Sequence, residues 1–334
     1  MNQNRINLIS ALKRQNHTIS QNPITADIIH NIWWNTLLSS GFFNKIIRHH
    51  PRIIVTASNF IDPGNPDFSL NKEFKSVMKI AKGWLAYSSK QKKILDDYGL
   101  LCFQMPPYVN HSIFHPPEGP IPQYKLYSKY GIPEEVVHGR TIIGSFQRDS
   151  LGSDLSKPKW QKNPDCLIAL LEKCDKNKYL LLLAGPRRHY IINQCRKRNI
   201  PYFYIGKETM NDDIYHNTLP ISAMVELYWI SDLILVTSRS EGGPKAIIEA
   251  ALTKTPILST DVGVARDFLA EEQIFEDFDH YHHVLDTYIR ELGCRNIISD
   301  LTECNYKKAR EILSYEALDR KLVQIYDRIM VVGD

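Results

Sequence analysis

Two short apolar runs, Asp232-Leu-Ile-Leu-Val-Thr237 and Pro256-Ile-Leu-Ser-Thr260, enclose the segment from Ser238 to Thr255, and together they leave few folds open to this chain. Each run fits a strand buried on both faces of a parallel sheet. Between them, Gly242, Gly243 and Pro244 make a turn, and Pro244 stands where a first-turn proline would. Lys245-Ala-Ile-Ile-Glu249-Ala-Ala251 then continues as a helix. Strand, turn, helix and strand make a βαβ unit.

The chemistry of the unit lies in its turn and the helix start. Peptide N–H groups at a helix N-terminus lack intrahelical partners and face the loop. Gly242 and Gly243 let a ligand approach the backbone closely. Glu241 sits at the mouth of the loop, and Glu249 lies about two turns into the helix at 3.6 residues per turn. Carboxylates in those two places suit the hydroxyl pairs of a sugar and a ribose. Alone, such a pair reads equally well as a glutamate favouring a helix N-terminus and a solvated surface charge.

The whole frame narrows the choice. Glu241-x7-Glu249, the preceding strand with its serine, and the following Glu-Ala-Ala-x4-Pro-Ile-Leu-Ser-Thr-x2-Gly263 resemble the donor-site signature of GT-B glycosyltransferases. The pattern is most similar to the retaining family 4, the glycosyl transferases group 1. That resemblance implies that Glu241 holds hydroxyls of the transferred sugar and Glu249 the ribose of the nucleotide. Three positions depart from the pattern. Lys254 stands where the family usually has glycine, Val264 replaces the second glycine of a pair, and Asp267 replaces a glutamate.

With 334 residues the chain suffices for two domains of roughly 100–200 residues. Its 43% hydrophobic content excludes a disordered protein. A net charge of +4 suits phosphorylated ligands or an anionic surface and is too small to argue for nucleic acid. No run approaches the ~18 apolar residues of a membrane span, and the N-terminus lacks an apolar signal core. Cysteines 102, 166, 174, 195, 294 and 304 form no Cys-x-x-Cys and read as reduced packing residues of a cytoplasmic protein.

Taken in order, Ile6–Ile9 reads as a short first strand and Asp27–Trp34 as a better one, ending near His30. A helix over Leu37–Arg48 and a strand over Arg52–Thr56 follow. Gly83–Ser89 and Leu101–Met105 are strands flanking a helix over Lys90–Tyr98. No glycine precedes Gly41, so the glycine-rich first loop usual in GT-B N-terminal domains is missing and this half looks shortened. The stretch Pro106 to Pro116 resembles the segment that closes that domain. Prolines 116, 117, 120, 122 and 133 then mark a linker. Beyond Arg140, strands at 141–144, 179–184, 201–205, 232–237 and 256–260 alternate with helices, the pattern of a doubly wound parallel sheet. Tyr315 to Ile329 has helical apolar spacing and resembles the GT-B helix that crosses back. The expected fold is α/β and GT-B: a shortened Rossmann-like acceptor domain over 1–130, a Rossmann-like donor domain over 131–310, and a helix over 311–334 packing on the N-terminal domain.

A departing nucleoside diphosphate needs a metal or fixed cations. Arg148, four residues past Gly144, falls in the loop after the first strand of the second half. Lys162 opens Lys-Asn-Pro-Asp, which resembles the family's lysine before its first C-domain helix. The pair can clamp a diphosphate without metal. Solvated surface cations are the plainer alternative, and Lys157 and Lys159 are nearby substitutes for Lys162. Asp277-Phe278-Asp279 is a formal Asp-x-Asp, read as a solvated acidic loop. His280, His282 and His283 have no cysteine or second histidine group at zinc-binding spacing and are read as surface. No metal site is expected. Ser58 or Asn59 stands where the family usually has a histidine near the sugar. His30 is the candidate stand-in, against its reading as a hydrogen-bonded core residue.

The stretch 33–52, with Trp33, Trp34, Phe42, Phe43, Ile46, Ile47 and several cations, reads either as core packing or as a peripheral membrane contact that meets a lipid-linked acceptor. The resemblance implies metal-free transfer of a sugar, with retention, from a UDP- or GDP-sugar to a hydroxyl of a glycan, protein-linked or lipid-linked acceptor. The nucleotide-sugar is a co-substrate and no cofactor is implied. The departing phosphate can itself take the acceptor's proton, so no side-chain nucleophile is named. Gly144, Arg148, Lys162, Glu241, Gly242, Gly243, Pro244, Lys245 and Glu249 form the expected donor site. A nucleotide-sugar epimerase, a phosphorylase and a non-catalytic nucleotide-sugar-binding subunit are the alternatives.

Overall fold

Alternation along one strand organises the first half of the computed structural model. In β2 (Ile53–Ala57), Ile53, Val55 and Ala57 point to one face of the sheet and Ile54 to the other. That is the period-2 pattern of a strand with both faces covered. β2 pairs in parallel with β1 (Ile29–Asn31) and β3 (Gly83–Ala86), and β3 with β4 (Cys102–Gln104), giving the order β1-β2-β3-β4. The structure describes residues 3–39, 41, 45, 47–64, 70–290 and 295–332.

The first face of this sheet packs on Trp34, Leu37, Phe74 and Leu95. Trp34, Phe74 and Trp84 meet one another with ring centroids 5.6–6.2 Å apart. The second face is covered by helices Gln3–Arg14 and Tyr315–Val332, through Ala11, Leu12, Leu322, Ile325 and Ile329. A Cβ on Gly83 would lie 2.3 Å from Ile329 Cδ1, so glycine lets the Ile329 side chain of the last helix sit directly against the strand. Arg14 grips Asp319 through both carboxylate oxygens, at 2.7 and 2.8 Å.

Helix Gln3–Arg14 corrects the strand expected at Ile6–Ile9. Leu8, Ala11 and Leu12 fall at helical spacing on one face, and burying that face outweighs the short apolar run. The helix expected over Leu37–Arg48 begins instead as a 3₁₀ turn, Trp34–Leu38. Of that stretch, Phe42, Phe43 and Ile46 lie outside the described residues, as does Cys294.

The second half builds a six-stranded parallel sheet from β5 (Thr141–Ser145), β6 (Tyr179–Ala184), β7 (Tyr202–Ile205), β8 (Leu233–Val236), β9 (Ile257–Thr260) and β10 (Ile274–Phe275). Its order is β10-β9-β8-β5-β6-β7. The sixth strand, of two residues, adds to the five expected. Winding proceeds from β5 outward in one direction and from β8 in the other. The topological switch point therefore lies between β5 and β8, where a doubly wound sheet opens a crevice beyond its strand ends.

The chain divides into two compact units, Met1–Tyr108 with Glu241–Pro244 and Glu311–Asp334, and Val109–Ser240 with Lys245–Arg310. The proline-rich stretch expected as a linker belongs to the second unit. Phe114 is buried, and Leu126, Ile132 and Val137 pack with Ile142, Leu180 and Leu182 into its core. Among the described residues no helix is long and apolar enough to cross a membrane.

Candidate functional site

The switch point gathers three stretches of the second unit. Gly144 lies inside β5, paired with Leu182 and Ile234. A Cβ there would meet Ser231 Oγ at 2.5 Å and Ile234 Cδ1 at 2.6 Å, so the side chains of its neighbours pack into the space that glycine leaves. The chain leaves β5 through Phe146, Gln147 and Arg148, whose side chain is exposed. Trp160–Lys162 forms a 3₁₀ turn, Asn163 takes a left-handed conformation at φ 48°, and Pro164 opens the helix Pro164–Lys173. Asparagine tolerates that conformation better than most residues, and proline suits a first helical position.

Hydrogen bonds tie these stretches to the end of β8. Gln147 Nε2 donates to the Lys162 carbonyl at 3.4 Å, and Ser238 Oγ donates to Gln147 Oε1 at 3.3 Å. Thr237 Oγ1 donates to the Asn163 carbonyl at 3.2 Å, and Arg239 N to the Gln161 carbonyl at 2.9 Å. Arg148 and the half-buried Lys162 thus stand on loops fixed to one another.

Lys245 and Glu249 lie on the helix Lys245–Thr253, which follows β8. Tyr228, on helix Ile221–Ile230, donates its hydroxyl to Glu249 Oε2 at 2.8 Å. Burial raises the Glu249 carboxyl above its ordinary value, against the pull of the Tyr228 hydrogen bond and the Lys245 charge. Burial lowers the Lys245 ammonium, with Glu249 opposing. A carboxylate has more acceptor positions than a single donor fills and can also accept hydroxyl groups.

Glu241, Gly242, Gly243 and Pro244 are counted with the first unit. A Cβ on Gly242 would come within 2.8 Å of the Ser58 carbonyl, and one on Gly243 within 2.9 Å of Pro107 Cγ. The missing side chains here make room for the protein's own atoms. Glu241 is half-buried.

His30 ends β1 with both ring nitrogens engaged. Nδ1 lies 2.8 Å from Tyr326 Oη and Nε2 2.8 Å from Thr56 Oγ1. Burial pushes its pKa down to about 4, so the ring is neutral at physiological pH. The ring is half-buried, and both of its nitrogens are engaged by the protein's own hydroxyls. In the stretch 33–52, Trp34 and Leu37 are fully buried, and Ile47 packs against the same core. Trp33 is the exposed large apolar side chain among its described residues.

The acidic and histidine stretches also resolve. Asp277 Oδ1 accepts from the backbone N–H of His280 at 2.8 Å, capping helix Phe278–Arg290, and Asp279 pairs with Lys173 at 3.3 Å. The surface reading of the histidines holds for the exposed His280 and His283 and not for their neighbours. Tyr281 is buried and donates to the Leu258 carbonyl, and His282 meets Cys174 and Asp286. Sequence spacing could not reveal that cysteine, because it comes from a different helix.

Tyr228 and the ion pair Asp149–Arg188 were not anticipated. Arg188 Nε lies 2.9 Å from Asp149 Oδ2 with both side chains 1% exposed, directly behind the Arg148 loop. Burial pushes the Asp149 carboxyl up to about 6 in spite of Arg188. Aspartate at 149 and arginine at 188 carry no local pattern that would mark them as a pair.

Two Rossmann-like units, with the second opened at a β5/β8 switch point, define the GT-B fold. Residues 156–281 match the family model described as glycosyl transferases group 1, a span that includes Lys162, Glu241 and Glu249. Among solved structures, the chain is similar to HepE of Anabaena in complex with UDP and glucose, at 14% identity and a TM-score of 0.68, covering 90% of this chain and 78% of that one. It is also similar to the sucrose-phosphate synthase of Thermosynechococcus elongatus, at 13% identity and 0.67, covering 97% and 76%. A glycosyltransferase of Rickettsia africae matches at 18% identity and 0.64, covering 97% and 88%. No curated protein sequence matches the chain.

Proposed function

We propose that the chain is a glycosyltransferase that moves a sugar from a nucleotide-sugar to an acceptor hydroxyl, with retention and without a metal in the transfer step. In this reading Glu249 accepts the ribose hydroxyls and Glu241 those of the transferred sugar. Arg148 and Lys162 hold the diphosphate as charge develops on it. The leaving phosphate takes the acceptor's proton, so no side chain acts as nucleophile. The donor is a UDP- or GDP-sugar, and the complex of HepE with UDP and glucose favours testing UDP first.

Glu249 carries the reading. It lies within the group 1 match, on the helix after the switch-point strand, with one oxygen held by Tyr228. An ordinary surface glutamate needs no buried tyrosine behind it.

Calorimetric titration with UDP and with UDP-glucose tests the assignment. Glu249→Ala should weaken both ligands by similar factors, because both carry the ribose. Glu241→Ala should weaken only the sugar-nucleotide and depress turnover. A lost acceptor at a site built for hydroxyls costs roughly 1–3 kcal/mol, which is about 5- to 150-fold in affinity. Equal effects on both ligands from both variants, or none, would remove the donor-site assignment. Binding with intact selectivity but no transfer or hydrolysis would favour the non-catalytic alternative.

A further inference from the structure

Helix Pro164–Lys173 ends at Cys174, which faces the helix Phe278–Arg290. On that second helix His282 and Asp286 are four residues apart and share one face. Their ligand atoms and the Cys174 sulfur all lie within 4.8 Å of one another. Cys174 is buried, and the Asp286 side chain is 15% exposed.

Two atoms of this trio, His282 Nε2 and Asp286 Oδ1, are buried and make no hydrogen bond. Each such orphan costs ~1–3 kcal/mol, and two in one cluster call for a shared partner. The other Asp286 oxygen is taken by Arg290, 2.7 Å away. The Cys174 thiol donates to the Leu170 carbonyl at 3.3 Å.

We infer that Cys174, His282 and Asp286 form a binding site for a zinc-class divalent ion. Thiolate, imidazole and carboxylate are the donor set of zinc, whereas magnesium and calcium take oxygen alone. With bonds of ~2.3 Å to sulfur and ~2.0 Å to nitrogen, tetrahedral ligand atoms stand ~3.5 Å apart. Side-chain rotation of about 1 Å closes the trio to that size. Binding displaces the thiol proton of Cys174 to solvent. Three protein ligands leave one position for water.

The ion would act as a tie between two helices. Lys162 precedes one end of helix Pro164–Lys173 and Cys174 follows the other. Ten residues at 1.5 Å rise place the site ~15 Å from the proposed diphosphate loop. Removing the ion should therefore lower the melting temperature and leave turnover below that temperature intact.

Cobalt titration of the chelator-stripped, reduced full chain tests the site. The wild type should take up a single Co²⁺ with tetrahedral visible bands and a thiolate-to-cobalt charge-transfer band, which Zn²⁺ then bleaches. Zn²⁺ should raise the melting temperature. Cys174→Ser should lose the charge-transfer band, and Cys166→Ser should keep it. His282→Ala replaces a half-exposed side chain and should fold normally while losing at least about tenfold in affinity. Absence of stoichiometric uptake, a charge-transfer band that survives Cys174→Ser, or wild-type affinity in His282→Ala would each overturn the site.

Discussion

Tyr228 Oη donates to Glu249 Oε2 at 2.8 Å, from a side chain that is itself fully buried. The folded state holds the Glu249 proton more tightly than the unfolded chain does, because burial raises its pKa. Glu249 therefore stabilises the free protein most in acid, and that contribution fades as pH rises through its folded-state value. On the proposed assignment ribose binding runs the other way, since hydroxyls donate more strongly to the carboxylate than to the acid. UDP affinity should fall as pH is lowered from about 7 towards about 4, while Glu249→Gln should bind weakly with a flatter profile. Tyr228→Phe removes a hydrogen bond that favours the carboxylate, so its affinity should begin to fall at higher pH. Calorimetry across the range reads all three profiles.

His30 should prove structural. His30→Ala leaves Thr56 Oγ1 and Tyr326 Oη without their shared partner, at roughly 1–3 kcal/mol of stability. Donor affinity should not move. The folded-state pKa of about 4 lies below the ordinary histidine value of about 6.5. The neutral ring's contribution is thus complete above about 6.5 and is lost as pH falls from there towards about 4. Urea melts of wild type and His30→Gln at several pH values should show a shallower acid limb in the variant. A turnover loss with unchanged stability would instead give His30 a role in catalysis.

Asp149 and Arg188 should behave as a buried unit. Arg188→Met strands a buried carboxylate and should cost about 3–5 kcal/mol, as should Asp149→Leu with its stranded guanidinium. The double variant should recover much of that loss. Denaturant titration of the three variants gives the coupling directly. Additive losses would mean that the two charges do not compensate each other.

Lys254 explains a departure from the family pattern. It follows helix Lys245–Thr253 with φ at 56°, the left-handed position where helices commonly end on glycine. Its ammonium lies 2.6 Å from Glu303 and 4.5 Å from the Tyr306 ring centroid. Lys254→Gly and Lys254→Ala lose those contacts equally, and only glycine relieves the backbone. The glycine variant should be about 1 kcal/mol more stable than the alanine variant by urea denaturation. Equal stabilities would place the strain elsewhere.

The second unit was more legible in the sequence than the first. Runs such as Tyr179–Ala184 and Leu233–Val236 are buried on both faces, so their apolar character survives without alternation. The Lys162 and Glu249 segments stand out in the sequence because they lie in the stretch that carries the family resemblance. Ile6–Ile9 misled because four apolar-rich residues suit either period, and only the partner helix Tyr315–Val332 decides between them. The prolines of 116–133 suggested a linker, whereas Leu126 and Ile132 belong to a core assembled from strands further along. Tyr228, Arg188 and Cys174 act through partners on other elements, and no spacing rule reaches them.

The clasp of Arg14 on Asp319 has a consequence for synthesis. Residues 109–240 and 245–310 can settle the second sheet while the chain is still being made. The first sheet, although translated earlier, has only helix Gln3–Arg14 to cover the face of Ile54 and Leu85, and the part beside Gly83 stays exposed until residues 315–332 emerge. The half made first is thus the half finished last. A nonsense or frameshift lesion near residue 310 would spare the second unit and leave the first as a sticky, chaperone-dependent intermediate.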